Sequence, residues 1–271
     1  MTALDGFEAT PFTHAGETRT VYRRGHGPAV VVMHEVPGIT PEVARFARLV
    51  AGAGFRVYLP HLFGTPGRPL SVPYALGGIL RACVSREFHV LASDASSPIT
   101  DWLRALAREA HAECGGPGVG AVGMCLTGNF ALALVLDAPV TAPVLSQPSL
   151  PFPLTASQRA ALHCSPAELE AVRGLVARGG CVLGLRFTAD PMVPAERFET
   201  LRRELGAGFE AVEIDSGPGN PHGFGRAAHS VLTTELVDAE GHPTRAALDR
   251  VLALFRERLQ AGQPDEGATP T

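Results

Sequence analysis

Apolar positions along the chain fall into two recurring patterns. Short runs rich in β-branched residues alternate with longer stretches in which apolar residues return every three or four positions. The first pattern marks strands buried on both faces, the second amphipathic helices. "AVVVMH" (29–34) and "FRVYLP" (55–60) predict strands. Between them, "PEVARFARLVAGAG" (41–54) predicts a helix that opens on proline and closes on glycine. Residues 86–112 predict mostly helix, with Ser96, Ser97 and Pro98 marking a break or a fresh start. "VGAVGM" (119–124) reads as a strand and 126–137 as a helix. Strands are expected at 141–147, 181–189 and 209–215, with helices at 194–208 and 243–260. This alternation predicts a single α/β domain over 1–271: a mostly parallel central sheet with helices on both faces.

Two segments interrupt the pattern. Residues 61–85 show no clear period, and 148–178 begin proline-rich and end helical. Inserts of this length serve either as lids or as plain surface, which makes 148–178 a candidate cap. The tail 261–271 is polar, carries Pro and Gly, and is expected to be disordered.

Composition narrows the classes. The chain has 271 residues, enough for one substantial core, and 45% hydrophobic against 18% charged residues is an ordinary globular balance. There are 23 basic and 27 acidic residues, a net charge of −4, and no basic stripe, so nucleic acid is not an expected partner. No apolar run approaches the roughly 20 residues of a membrane helix, so no membrane association is expected. The start, "MTALDGFEATPF", lacks the basic and apolar regions of a secretion signal. Cys83, Cys114, Cys125, Cys164 and Cys181 are odd in number and form no CxxC pair. That suggests neither a disulfide framework nor a zinc site, and fits a reducing cytoplasm.

Chemistry concentrates at "GMCLTG" (123–128), where a thiol sits between a strand and a helix. A free cysteine is usually inert core filling. Here, however, Gly123 and Gly128 flank Cys125 where a nucleophile elbow needs small residues, because the sharp turn brings two backbones together. A helix N-terminus favours the thiolate and offers N–H groups to an oxyanion. In α/β-hydrolases an acid and then a histidine follow the nucleophile. Asp190 in "RFTADPMVP" follows one predicted strand, and His222 in "DSGPGNPHGFGR" follows the next. Singly, Asp190 could be a turn residue at a helix start and His222 an ordinary loop histidine. Together they stand in triad order, each at the carboxyl end of a strand.

Four segments in order resemble the dienelactone hydrolases, a family within the α/β-hydrolase superfamily. "MHEVPG" is similar to the family's "HEIFG", "GMCLTG" to "GYCLGG", "ADPMVP" to "ADxxVP" and "HGFGR" to "HSFAR". The resemblance covers about 28–260, and the departures are Thr127 in the elbow and a long Cys125-to-Asp190 spacing whose surplus lies in 148–178.

The resemblance implies an α/β-hydrolase fold and cleavage of a lactone or carboxylic ester through a Cys125–His222–Asp190 triad. The backbone N–H groups of Leu126 and Val36 would hold the oxyanion. Glu35 would be a fourth catalytic group, paired with the Cys125 thiol or with Arg226 and switching between them. An anionic substrate would be held by Arg226 and by Arg81 or Arg86. No metal or organic cofactor is implied, and the oligomeric state is left open. Rival readings on the same residues are a general carboxylesterase or thioesterase, and a non-enzymatic redox-sensing or ligand-binding thiol protein.

Overall fold

The computed structural model describes residues 3–75, 77–78 and 97–260. The expected helical stretch before Pro98, residues Cys83, Arg81 and Arg86, and the tail 261–271 lie outside them.

Six of the eight strands among the described residues follow the β-α alternation: β3 (Ala29–Met33), β4 (Arg56–Pro60), β5 (Val119–Met124), β6 (Val140–Ser146), β7 (Val182–Phe187) and β8 (Phe209–Ile214). Two more, β1 (Glu8–His14) and β2 (Glu17–Arg24), precede them and give the sheet order β1-β2-β4-β3-β5-β6-β7-β8. β1, β2 and β4 pair antiparallel, and every pairing from β4 through β3 to β8 is parallel. The sheet is therefore mixed at one edge, which the pattern of apolar residues did not reveal. Only Phe12 is buried in β1 and only Val21 in β2, so the edge hairpin carries almost no apolar alternation. Its turn is two residues long, and Ala15 and Gly16 both have positive φ, as a tight hairpin requires.

Alternation sorts the central strands between two cores. Val30 and Val32 of β3 point to one face with Val122 and Met124 of β5. Ala29, Val31 and Met33 point to the other with Val119 and Ala121. Helices α1 (Pro41–Gly52) and α7 (Pro243–Leu259) cover the first face through Val43, Phe46, Val50, Val251 and Phe255. The opposite face is covered by α2 (Ile99–Cys114), α3 (Phe130–Ala133), α5 (Pro166–Ala177) and α6 (Ala195–Leu205), through Trp102, Leu106, Phe130, Val172, Phe198 and Leu201.

The helix expected over 126–137 shrinks to α3. After a 3₁₀ turn at Cys125–Thr127 the chain makes little more than one α-turn and unwinds by Asp137, which has φ 58°. Arginines of α2 take the freed carbonyls: Arg104 Nε donates to Ala133 O (2.9 Å) and Arg108 to Asp137 O (2.9 Å).

The segment 148–178 divides into unlike parts. α5 is the crossover helix that carries the chain from β6 to β7, packed on α3 and pinned by a buried ion pair between Arg104 and Glu168. The preceding stretch, including the short α4 (Ala156–Ala160), is wrapped on Arg197 of α6. That guanidinium is fully buried and donates to the carbonyls of Pro148 (2.7 Å), Pro151 (2.6 Å), Gln158 (2.9 Å) and Ala161 (2.9 Å). Burial lowers its pKa to about 10, and nearby Arg159 adds to the shift.

Candidate active site

The carboxyl ends of β3, β5, β6 and β7 and the long loop after β8 meet at one edge of the sheet, where ligands bind in open α/β folds. Cys125 sits directly after β5 with φ 54°, a left-handed conformation that strains a residue bearing a Cβ. The turn is possible because of its glycines. A Cβ on Gly123 would lie 2.1 Å from the carbonyl oxygen of Thr127, and one on Gly128 would lie 2.4 Å from Cα of Pro148. The Cys125 carbonyl accepts from the N–H groups of Gly128 and Ser149, both at 3.0 Å, which fixes the elbow against the strand end of β6. Thr127, where the family pattern has glycine, faces inward. Its hydroxyl accepts the Met124 N–H (2.9 Å) and donates towards the Met33 carbonyl (2.9 Å), tying the elbow to β3.

Asp190 follows β7 and is buried. One carboxylate oxygen accepts the Met192 N–H (2.9 Å) and the other faces Nδ1 of a histidine at 2.6 Å. That histidine is His229, not the expected His222. With Nδ1 committed to Asp190, the ring's other nitrogen is left for Cys125, which lines the same cavity. Burial works to lower the His229 pKa. The charge of Cys125, the bond to Asp190 and the bond to Cys125 outweigh it, so the pKa stands well above 6.5.

His222 stands elsewhere for a local reason. Asn220 closes a tight loop by donating to the carbonyls of Gly217 (2.9 Å) and Phe224 (2.7 Å) and accepting the Phe224 N–H (2.9 Å). His222 lies exposed at its tip, its ring centroid 5.2 Å from that of His242. The chain returns to the sheet edge only at Ala228, Val231 and Leu232, which are buried and set His229 in place. The signal was present, since "HS" of the family's "HSFAR" occurs literally at His229–Ser230. Counted from His229, the fourth residue on is Thr233 rather than an arginine, and Arg226 is exposed.

Glu35 is 4% exposed and meets neither expected partner. Its Oε2 accepts from Gln147 Nε2 (3.0 Å) and Ser230 Oγ (2.6 Å), and its Oε1 from the Thr233 hydroxyl. Neighbouring His34 is fully buried, and burial lowers its pKa to about 3. The neutral ring accepts the Leu62 N–H at Nε2 (3.1 Å) and so donates from Nδ1 to the Glu35 carbonyl (3.0 Å).

A cavity of about 320 Å³ opens over Cys125 and His229. Val36 and Leu126 line it beside the thiol, and Leu70, Phe152 and Met192 make it largely apolar. Phe152 is the residue by which 148–178 reaches it. Arg226 is not among the lining residues. The described residues hold no group of three His, Cys, Asp or Glu side chains that could bind a metal. None of their helices is long and apolar enough to cross a membrane.

The sheet order and the strand–elbow–helix turn place the chain among the α/β-hydrolases. Within them it belongs to the dienelactone hydrolase family, whose sequence profile matches residues 17–259, and it is a hydrolase. No curated protein sequence matches it significantly. Among solved structures, a Klebsiella pneumoniae subsp. pneumoniae MGH 78578 protein assigned as a dienelactone hydrolase superposes with a TM-score of 0.63 at 19% identity, over 93% of this chain and 98% of that one. A dienelactone hydrolase-like promiscuous phosphotriesterase from metagenomic libraries gives 0.59 at 18%, over 93% and 98%. Esterase 2 of Thermogutta terrifontis gives 0.58 at 14%, over 94% and 95%. At these identities the likeness is one of fold.

Proposed function

We propose that the chain cleaves small carboxylic esters or lactones through a Cys125 thioester, with His229 and Asp190 completing the triad. The observation that carries this reading is the Asp190–His229 hydrogen bond at a cavity that the His229 ring shares with Cys125 on its strained elbow. Cys125 Sγ attacks the carbonyl carbon, and the charge passes to the carbonyl oxygen between the N–H groups of Leu126 and Val36. His229 gives its proton to the departing alkoxide as the thioester forms. Water then adds to the thioester carbonyl, yielding its proton to His229, and the acid leaves as the thiolate is restored. A histidine whose pKa is raised by Cys125 and Asp190 supports the first of these proton transfers, because it holds the proton the leaving group needs. Such a thiol stays a nucleophile in a reducing cytoplasm.

We assign Glu35 a positioning role. Both its oxygens are occupied by neutral donors, two of them on the turn that begins with His229, so it holds that turn rather than exchanging a proton.

The test is intact-protein mass spectrometry after mixing with activated p-nitrophenyl esters. The expected result is a single acyl adduct mapping to Cys125, absent in Cys125→Ala. A protein that is oxidised at Cys125 by peroxide but never acylated would be a thiol sensor instead.

A further inference from the structure

The cavity over Cys125 carries a charge that the hydrolytic steps leave unused. Apart from Cys125 and His229, the ionisable side chain among its described lining residues is Glu235. Its backbone N–H donates to Ser230 O (3.1 Å), which fixes Glu235 one turn beyond His229. The buried carboxylates of Glu35, Asp190 and Glu168 all have hydrogen-bond or ion-pair partners. Glu235 is half-buried, and no described residue hydrogen-bonds or ion-pairs its carboxylate. Burial raises its pKa, the charge on His229 opposes this, and Glu35 adds to it. A carboxylate in that position gains from a cation brought against it.

A second cavity adjoins the first. It measures about 410 Å³ and shares Ala227, Thr234 and Glu235 with it. Its other walls include His222, Phe224 and His242, with the Phe224 and His242 rings 5.6 Å apart. Burial, then the charge of His222, lowers the His242 pKa, which disfavours the cationic form of this ring. A carboxylate beside neutral aromatic faces is a cation-binding surface.

Resting on the hydrolase reading above, we infer that the substrate is a cationic ester. An ammonium group on its acyl or alcohol part lies against Glu235 where the two cavities meet, while the carbonyl reaches Cys125. Glu235 is then the residue that sets charge preference, and anionic esters are disfavoured.

Two measurements at pH 8, chosen to keep Glu235 ionised, test this. In the first, Cys125 is labelled with cationic and anionic alkyl methanethiosulfonates of equal size, and its modification is followed by peptide mass spectrometry. This reads the field at the thiol without any need for turnover. The cation-to-anion rate ratio should favour the cation, fall roughly tenfold in Glu235→Gln, and invert in Glu235→Lys. In the second, kcat/KM is compared for acetate esters of choline, its uncharged tert-butyl isostere and an anionic sulfonate of the same length. The choline ester should lead and the sulfonate trail, with the spread collapsing in Glu235→Gln. Faster labelling by the anionic reagent, a ratio that Glu235→Gln leaves within twofold, or preference for the sulfonate ester each overturns the inference. Intact esters alongside a Glu235-dependent labelling ratio would remove the hydrolase reading and leave the cation site standing.

Discussion

The elbow at Cys125 and the loop that carries His229 bring a thiol and an imidazole together by different means. The elbow is six residues long, and beside its few hydrogen bonds it is shaped by exclusion: at 123 and 128 only glycine fits the space left by Thr127 and Pro148. The stretch from β8 to α7 is long and irregular, and it is fixed by attraction. Asp190 holds His229 itself, and Glu35 holds Ser230 and Thr233 on either side of a single turn. Sterics of this kind are local and unforgiving. Polar ties are distant in sequence, and each contributes an amount that one substitution can remove.

The comparison breaks most visibly at Cys125 and His229. Cys125→Ala and His229→Ala should each lower ester turnover by roughly 10³-fold or more, with circular dichroism and thermal unfolding close to the parent. Near-normal rates in His229→Ala would return the base to another histidine.

The elbow's steric character is sharpened by Gly128→Ala. Its new Cβ would press on backbone at Pro148, which cannot move without carrying the loop along. Denaturant unfolding should show a loss of about 2–4 kcal/mol, with activity falling as Cys125 is displaced. An unchanged midpoint would mean the turn has slack.

On the attractive side, Glu35→Ala leaves Gln147, Ser230 and Thr233 without their shared acceptor. We expect kcat to drop about tenfold with little change in KM, and about 1–3 kcal/mol of destabilisation. Thr233→Val should do the same to a smaller degree. A positioning residue leaves the pH profile of acylation where it was. A shift of that profile in Glu35→Gln would instead mark a proton carrier.

The smallest effect is expected at His222. Replacing it with alanine should leave turnover of uncharged esters within twofold, since it lies at the tip of the Asn220 loop. A large loss would show that this loop closes on the thiol in solution.

The same contrast explains what could be read from the chain. Cys125 between Gly123 and Gly128, and Asp190 after β7, were legible because their signals are short and attached to strands. The central parallel strands were legible because each is buried on both faces. β1 and β2 were not, since an edge hairpin with one buried residue per strand has no apolar pattern to detect. His229 was not singled out because "HGFGR" resembles the family segment and follows β8 closely, whereas "HS" stands seven residues beyond His222. The distance a loop travels before returning to the sheet is set by side chains such as Asn220, and no periodicity reports it. The partners of Glu35 were misjudged for a similar reason: Gln147, Ser230 and Thr233 are more than 100 residues away in sequence and chemically unremarked. Nor was the division of 148–178 visible, because a crossover helix following a proline-rich loop reads as one insert.

Arg197 behaves towards the loop at 148–161 as a crown ether's guest does towards its ring. Four peptide carbonyls take the place of water around one interior cation, and no carboxylate shares the task. Because the ring is made of main-chain oxygens, its closure does not depend on which side chains the loop bears. Phe152 sits on this collar beside Pro151, one of the clasped residues, and lines the cavity. Variation at position 152 therefore alters the volume offered to a substrate while the collar keeps its shape, so that the pocket can be retailored over evolution, or in the laboratory, without unfastening the fold around it.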